Sequence, residues 1–342
     1  QQFSNYTLRV NAAENLTAIS QGVESKENDL VVFKSETPLP QISLVIGPYA
    51  KRSTVVDSVT YKLYTHSKHR YFEEYTTALA DTLEPLIREL KNDYELKTKI
   101  NYPFKSFSMI ETPIHFKPLS TPLGTKKDFV QPMQVFLPEN GIYVEAADFK
   151  SNIKRSQDRL EDRNQSMSET EVQYQVLRRF VETTFLGGTS FRRFGGPQMT
   201  LEQGSFSIFP NFYNFINSIQ SAELPIFNLA VAAYLKGKVE SSPMGFMRFR
   251  EAITDEERAC LELREHSLQQ ILADPEKHEI ANSLIAAKSG YLFRLIESKV
   301  GAEKLEHFLN QARIKNQFKV ISANKFISDL QKELGVSMNE EL

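Results

Sequence analysis

Two histidine-bearing stretches have the spacing of metal ligands. His66-Ser67-Lys68-His69 sets two imidazoles either side of a two-residue gap. That gap could seat a metal, whereas the flanking Lys68 and Arg70 favour an exposed turn. His278-Glu279-Ile280-Ala281-Asn282 carries the first His and the Glu of a two-histidine zinc helix, but Asn282 stands where the second His belongs. We read it as part of a surface helix. Arg178-Arg179 and Arg192-Arg193, with Phe180, Phe191 and Phe194 among them, could hold phosphate or a nucleic acid. The formal net charge of −2 gives no bulk attraction to polyanions. Glu139-Asn140 lies within Pro138-Glu139-Asn140-Gly141, a β-turn signature. The lone Cys260 excludes an intramolecular disulfide and a cysteine-based zinc cluster.

The elements that would position these groups change character along the chain. Residues 3–49 alternate in short runs, around 6–10, 30–33 and 42–46, and predict strands. Residues 54–66 are β-branched and aromatic and predict one strand. A period near 3.6 over 71–92 predicts a long amphipathic helix that Pro85 would kink. Strands follow around 106–110, 133–137 and 141–144. Residues 150–168 mix charges of both signs and read as a solvated loop or exposed helix.

Beyond that point the pattern is helical. Apolar residues at 172, 174, 176, 177, 180, 181 and 185 predict a buried helix over 172–186, stopped by Gly187-Gly188. Further helices are predicted over 210–221, 224–237, 254–273 with Thr254 as N-cap, 275–298, 302–311 and 323–334. The fold class is α+β, a mixed sheet covered by a helix and then a helical half. No apolar run approaches the roughly 18 residues of a membrane-spanning helix. The chain opens on Gln1-Gln2-Phe3 without a methionine, as a processed protein or an excised piece would.

Four stretches, in this order and spacing, resemble the catalytic half of the aminopeptidase N family of zinc metallopeptidases. NYTLRVNAAENLTAISQG (5–22) with PLPQISLVIGPY (38–49) looks like the closing strands of that family's N-terminal β-domain. Residues 61–103 look like the strand, helix and Tyr-Pro turn that open the catalytic domain. VFLPENGIYVEAADF (135–149) is similar to the strand bearing the Gly-Ala-Met-Glu-Asn exopeptidase signature, and 286–335 is similar to the family's closing helices. The resemblance implies a thermolysin-like (gluzincin) domain. Residues 1–50 would end a β-domain, 51–150 form the mixed-sheet half, and 151–342 form the helical half.

The family's zinc helix carries His-Glu-x-x-His and, further on, a Glu within Leu-x-Glu-Gly. Aligning Phe185-Leu186-Gly187 with the family's Trp-Phe-Gly puts Arg179 at the first His, Phe180 at the Glu and Thr183 at the second His. Glu202, in Leu201-Glu202-Gln203-Gly204, falls at the last ligand. A guanidinium cannot ligate zinc, a phenyl ring cannot take a proton, and threonine is a poor ligand. No histidine lies between His115 and His266, so no shift of alignment restores the pair. The arginines would instead pair with Glu182, Glu202 or Glu139, because buried carboxylates without a cation are costly. Glu139 and Asn140 stand where the exopeptidase signature has its Glu-Asn, although Phe136-Leu137-Pro138 replaces Gly-Ala-Met.

The resemblance therefore implies a peptidase-like domain that has lost its zinc site and needs no cofactor. Its cleft, with Glu139, Asn140 and Glu182 at hand, would take a peptide or a partner protein. The resemblance extends to the bacterial branch in which such a domain accompanies an ABC-transporter permease. It implies an extracytoplasmic or membrane-associated module with no span of its own in this chain and no nucleic-acid partner. The alternative is an active metallo-aminopeptidase or other hydrolase with a non-standard site, whose mark would be a compact cluster of His, Asp and Glu.

Overall fold

The computed structural model describes residues 3–69, 80–113, 130–139, 147–182, 184–185, 217–220, 231, 234 and 255–337. Helices and sheets are mixed along the chain, an α+β architecture. The site is positioned by a five-stranded sheet of order β6–β7–β8–β10–β9. Its strands are β6 (Tyr49–Val56), β7 (Val59–His66), β8 (Ser106–Thr112), β9 (Val130–Gln131) and β10 (Gln134–Pro138). The central three, β7, β8 and β10, run parallel, and β6 and β9 close the edges antiparallel. All three parallel strands thus present their carboxyl ends on one side.

The single strand predicted over 54–66 is two strands, β6 and β7, joined at Asp57-Ser58. Both turn residues have positive φ, 48° and 69°, as a two-residue primed turn demands. Neither is glycine, so the sequence gives no turn signal there. Arg88 Nε donates to the Asp57 carboxylate at 2.9 Å and Lys91 Nζ stands 3.7 Å from it, anchoring the turn on the neighbouring helix. A non-glycine residue in the left-handed region costs roughly 1–2 kcal/mol. Ser58→Gly is therefore expected to stabilise the chain by about 1 kcal/mol, read as a higher urea midpoint at unchanged slope.

One face of the sheet carries Tyr61, Phe107, Met109, Val135 and Leu137 into the largest core. Three helices cover it: α1 (Ala80–Thr98), α2 (Phe149–Asp162) and α3 (Glu169–Glu182). α1 buries Leu86, Ile87 and Leu90 and runs on past the predicted end at 92, with Pro85 inside it. The start predicted at 71 lies outside the described residues. α2 takes up most of the charged stretch 150–168: Phe149 and Ile153 are buried and much of the rest is solvated. Asp148 caps it by accepting from the Ser151 N–H, and the Ser151 side chain first, then this backbone bond, hold the Asp148 carboxyl below the usual range.

α3 starts three residues earlier than the hydrophobic period suggested, because Ser168 and Glu171 exchange hydrogen bonds in a capping box. It buries Val172, Val176, Leu177 and Val181; its α-helical part ends at Glu182, and residues 184–185 are π-helical, close to the predicted end at 186. Phe185 lies beyond it, against Tyr61 with ring centroids 5.5 Å apart.

The other face of the sheet, with Tyr64, Ile110 and Phe136, packs on Ile19. Ile19 belongs to β2 (Thr17–Ser20), paired antiparallel with β5 (Leu44–Gly47). Beside these stand β1 (Thr7–Val10), β4 (Leu30–Lys34) and β3 (Val23–Glu27), in the order β1–β4–β3. Where the alternation suggested three short strands, the described residues 3–47 form five.

In the second half, α4 (Asp255–Glu265) and α5 (Leu268–Ala273) replace the one helix predicted over 254–273. The break is at Ser267, which caps α5 with a full capping box to Gln270. A 3-10 turn, Pro275–Ile280, precedes α6 (Ala281–Val300), so His278 and Asn282 fall in different elements. α7 (Ala302–Lys315) and α8 (Ala323–Leu334) follow, α8 ending at left-handed Gly335. Residues 217–220, predicted helical, are a strand instead: β11 (Asn217–Gln220) pairs parallel with β12 (Lys319–Ser322). The strand predicted over 141–144, most of the helix predicted over 224–237 and the Thr254 cap lie outside the described residues.

Candidate functional site

The two central parallel strands β8 and β10 follow one pattern. Phe107-x-Met109-x-Glu111 and Val135-x-Leu137-x-Glu139 each put two apolar side chains into the core, then a carboxylate at the carboxyl end. Residue 137 pairs with residue 111, and the Glu139 N–H donates to the Thr112 carbonyl at 3.0 Å, so the ladder continues to Glu139. The turn leaving β7 brings His69 over the same edge, closed by His69 N–H to the His66 carbonyl at 2.8 Å.

The result is a converging triad. Ligating atoms of His69, Glu111 and Glu139 all lie within 4.8 Å of one another. Glu111 is the centre, with its side chain only 2 % exposed against 31 % for His69. Its Oε1 sits 2.9 Å from His69 Nδ1, and its Oε2 accepts the His66 backbone N–H at 2.7 Å. The Tyr49 hydroxyl donates to the Glu111 carbonyl oxygen at 2.9 Å. Burial, then the charges of Glu111 and Glu139, push the Tyr49 phenol above its ordinary value, as expected in a corner of negative potential. A buried carboxylate fixed at both oxygens beside a second carboxylate makes a corner that attracts cations.

This grouping was not read from the sequence. His69 stands in the sequence only as half of a His-x-x-His gap, Glu139 as a turn residue at a signature position, an arginine partner and a cleft residue, and Glu111 carries no reading at all. The repeated apolar-x-apolar-x-Glu run on two strands was the available signal. The other half of the gap, His66, turns its ring toward His69 with centroids 5.2 Å apart and contributes its backbone N–H to Glu111.

The positions aligned with a zinc helix lie on α3. Arg179 is exposed, and Phe180 packs on Phe149 with ring centroids 5.4 Å apart. Glu182 accepts from Arg178 Nε at 2.8 Å, and Arg178 Nη2 reaches Glu89 at 2.9 Å. These bonds, Glu182 first, raise the Arg178 guanidinium above its ordinary value. At the two aligned positions that are described stand an outward cation and a ring packed on the core, neither of them a zinc-ligating group. Thr183, Glu202 and Asn140 lie outside the described residues, as do Arg192 and Arg193.

No protein-family model and no curated protein matches the chain. Solved structures do. Leukotriene A4 hydrolase from Saccharomyces cerevisiae matches over 99 % of this chain and 44 % of its own, at 10 % identity and a TM-score of 0.49. An M1 zinc metallopeptidase from Deinococcus radiodurans matches over 98 % of this chain and 62 % of its own, at 13 % identity and a TM-score of 0.46. The chain thus spans about half the length of these structures. No residue role is transferred from them.

Proposed function

We propose that this chain is a peptidase-like binding module, thermolysin-like in its two halves, that holds a peptide or a partner protein without zinc-dependent cleavage. In this reading residues 51–150 and 151–342 form the two halves behind the last strands of a β-domain, and the cleft between them is the binding groove. The module serves a membrane transporter complex outside the cytoplasm and needs no cofactor for that role.

One observation carries the reading. The helix turn 178–182 spends its side chains on structure: Arg178 bridges Glu182 and Glu89, and Phe180 packs on Phe149. An aromatic ring packed there cannot serve as general base, and no proton-accepting side chain replaces it at that position. Glu139, just past the end of β10, suits recognition of cationic or amino groups better than activation of water.

Hydrolysis decides the matter. The chain is incubated with aminoacyl fluorogenic substrates and unstructured peptides in the presence of excess Zn²⁺ or Mn²⁺. Release at the buffer rate, together with saturable binding of an uncleaved peptide by fluorescence anisotropy, is the expected result. Turnover that disappears in Glu139→Gln would overturn it in favour of a metallo-aminopeptidase or other hydrolase. Metal occupancy alone decides nothing here, since a bound ion need not be catalytic.

A further inference from the structure

We propose that His69, Glu111 and Glu139 form a divalent-cation site of the zinc class at the carboxyl edge of the parallel strands. This goes beyond the binding-module reading and stands or fails without it. An imidazole nitrogen and carboxylate oxygens are both donors that Zn²⁺ accepts, and three protein ligands leave a fourth place for solvent. Harder ions such as Mg²⁺ favour all-oxygen shells and near-octahedral geometry, so an imidazole donor argues for Zn²⁺ over Mg²⁺.

The geometry is close to what the ion requires. Around Zn²⁺, with bonds of roughly 2.1 Å, tetrahedral ligand atoms stand about 3.4 Å apart. The three donors already lie within 4.8 Å of each other, so rotamer adjustments of His69 and Glu139 would close the shell. Glu111 need not move: its carboxylate is held by the His66 N–H, the kind of outer hydrogen bond that orients a ligating carboxylate.

Burial gives an independent reason. Glu111 is almost wholly withdrawn from water, beside a second, half-buried carboxylate. Two carboxylates with oxygens no more than 4.8 Å apart repel in a poorly solvated corner. A divalent ion neutralises both. The location also fits, because ligands of sheets with parallel strands gather at the carboxyl ends of those strands.

The test is isothermal titration calorimetry of the whole chain, stripped with chelator and dialysed, with ZnCl₂ and separately with MgCl₂. One equivalent of Zn²⁺ at micromolar Kd or tighter, with much weaker Mg²⁺ binding, is expected. Glu139→Gln and His69→Gln should each weaken Zn²⁺ at least about tenfold. His307→Gln, which removes an exposed imidazole on α7, should leave it unchanged. Both site variants alter partly exposed residues, and unchanged circular dichroism verifies their folding. Absence of stoichiometric binding overturns the proposal. So does Zn²⁺ affinity that survives both site variants, or that falls equally in His307→Gln, since the ion would then sit on surface histidines.

Discussion

Replacing Ile110 by alanine is expected to lower the unfolding free energy by about 3–4 kcal/mol. Ile110 has no exposed surface and sits on β8, on the face turned away from the helices. There it meets Tyr64 of β7, Phe136 of β10 and Ile19 of β2, with Val45 and Tyr49 at the margin. Truncation would remove three carbons' worth of contact and leave a cavity that these large neighbours cannot collapse into, being fixed by two sheets. The measurement is urea denaturation followed by circular dichroism. Val55→Ala on β6, 55 % exposed, should change stability by less than about 0.5 kcal/mol and serves as the control. A loss below about 1 kcal/mol for Ile110→Ala would mean that the β2–β5 pair does not pack on the central sheet as described.

This contact explains part of what the sequence could and could not reveal. The alternation of β8 marks a strand, but a strand buried on both faces gives no sign of which residues meet a helix and which meet another sheet. Long amphipathic periods were legible. α3, α7 and α8 appear close to where the spacing of apolar residues put them, because a helix face is a local property. Pairings between distant segments were not. β11 and β12 lie about a hundred residues apart and become strands through each other, so neither four-residue stretch carries a strand signal of its own. The β6–β7 turn was hidden for another reason: Asp57 and Ser58 accept a strained conformation that sequence reading assigns to Gly or Asn.

The candidate site shows the same division. Motif reasoning looks for ligands at fixed spacing along one helix, where this sequence has Arg179, Phe180 and Thr183. A triad assembled at the ends of three strands has no fixed spacing: residues 69, 111 and 139 are brought together by the parallel register and the turn leaving β7. What was readable is the polarity inversion, a carboxylate ending an inward-facing apolar row. A Glu in that place must find a partner, because a buried carboxylate without one is costly.

The helical half yields the other large effect. Phe293→Ala is expected to cost about 4 kcal/mol. Phe293, 2 % exposed, stacks on Tyr234 with ring centroids 4.6 Å apart and interplanar angle 24°, on the inner face of α6. Ile296 one turn on, Leu305, Phe308 and Leu309 of α7, and Phe326 and Leu330 of α8 share its core. The Tyr234 hydroxyl donates to Glu297 at 2.9 Å, which holds the ring partner in place and prevents it from filling the space left behind. Tyr291, two residues earlier on the same helix, is 59 % exposed, so Tyr291→Ala should cost less than about 0.5 kcal/mol. Paired measurements on the two variants test the orientation of α6 directly. Equal losses would mean that the helix does not turn Phe293 inward. A loss confined to Phe293 fixes the face on which α7 and α8 pack, and combining it with Ile110→Ala should give additive losses, because the two side chains lie in separate core clusters.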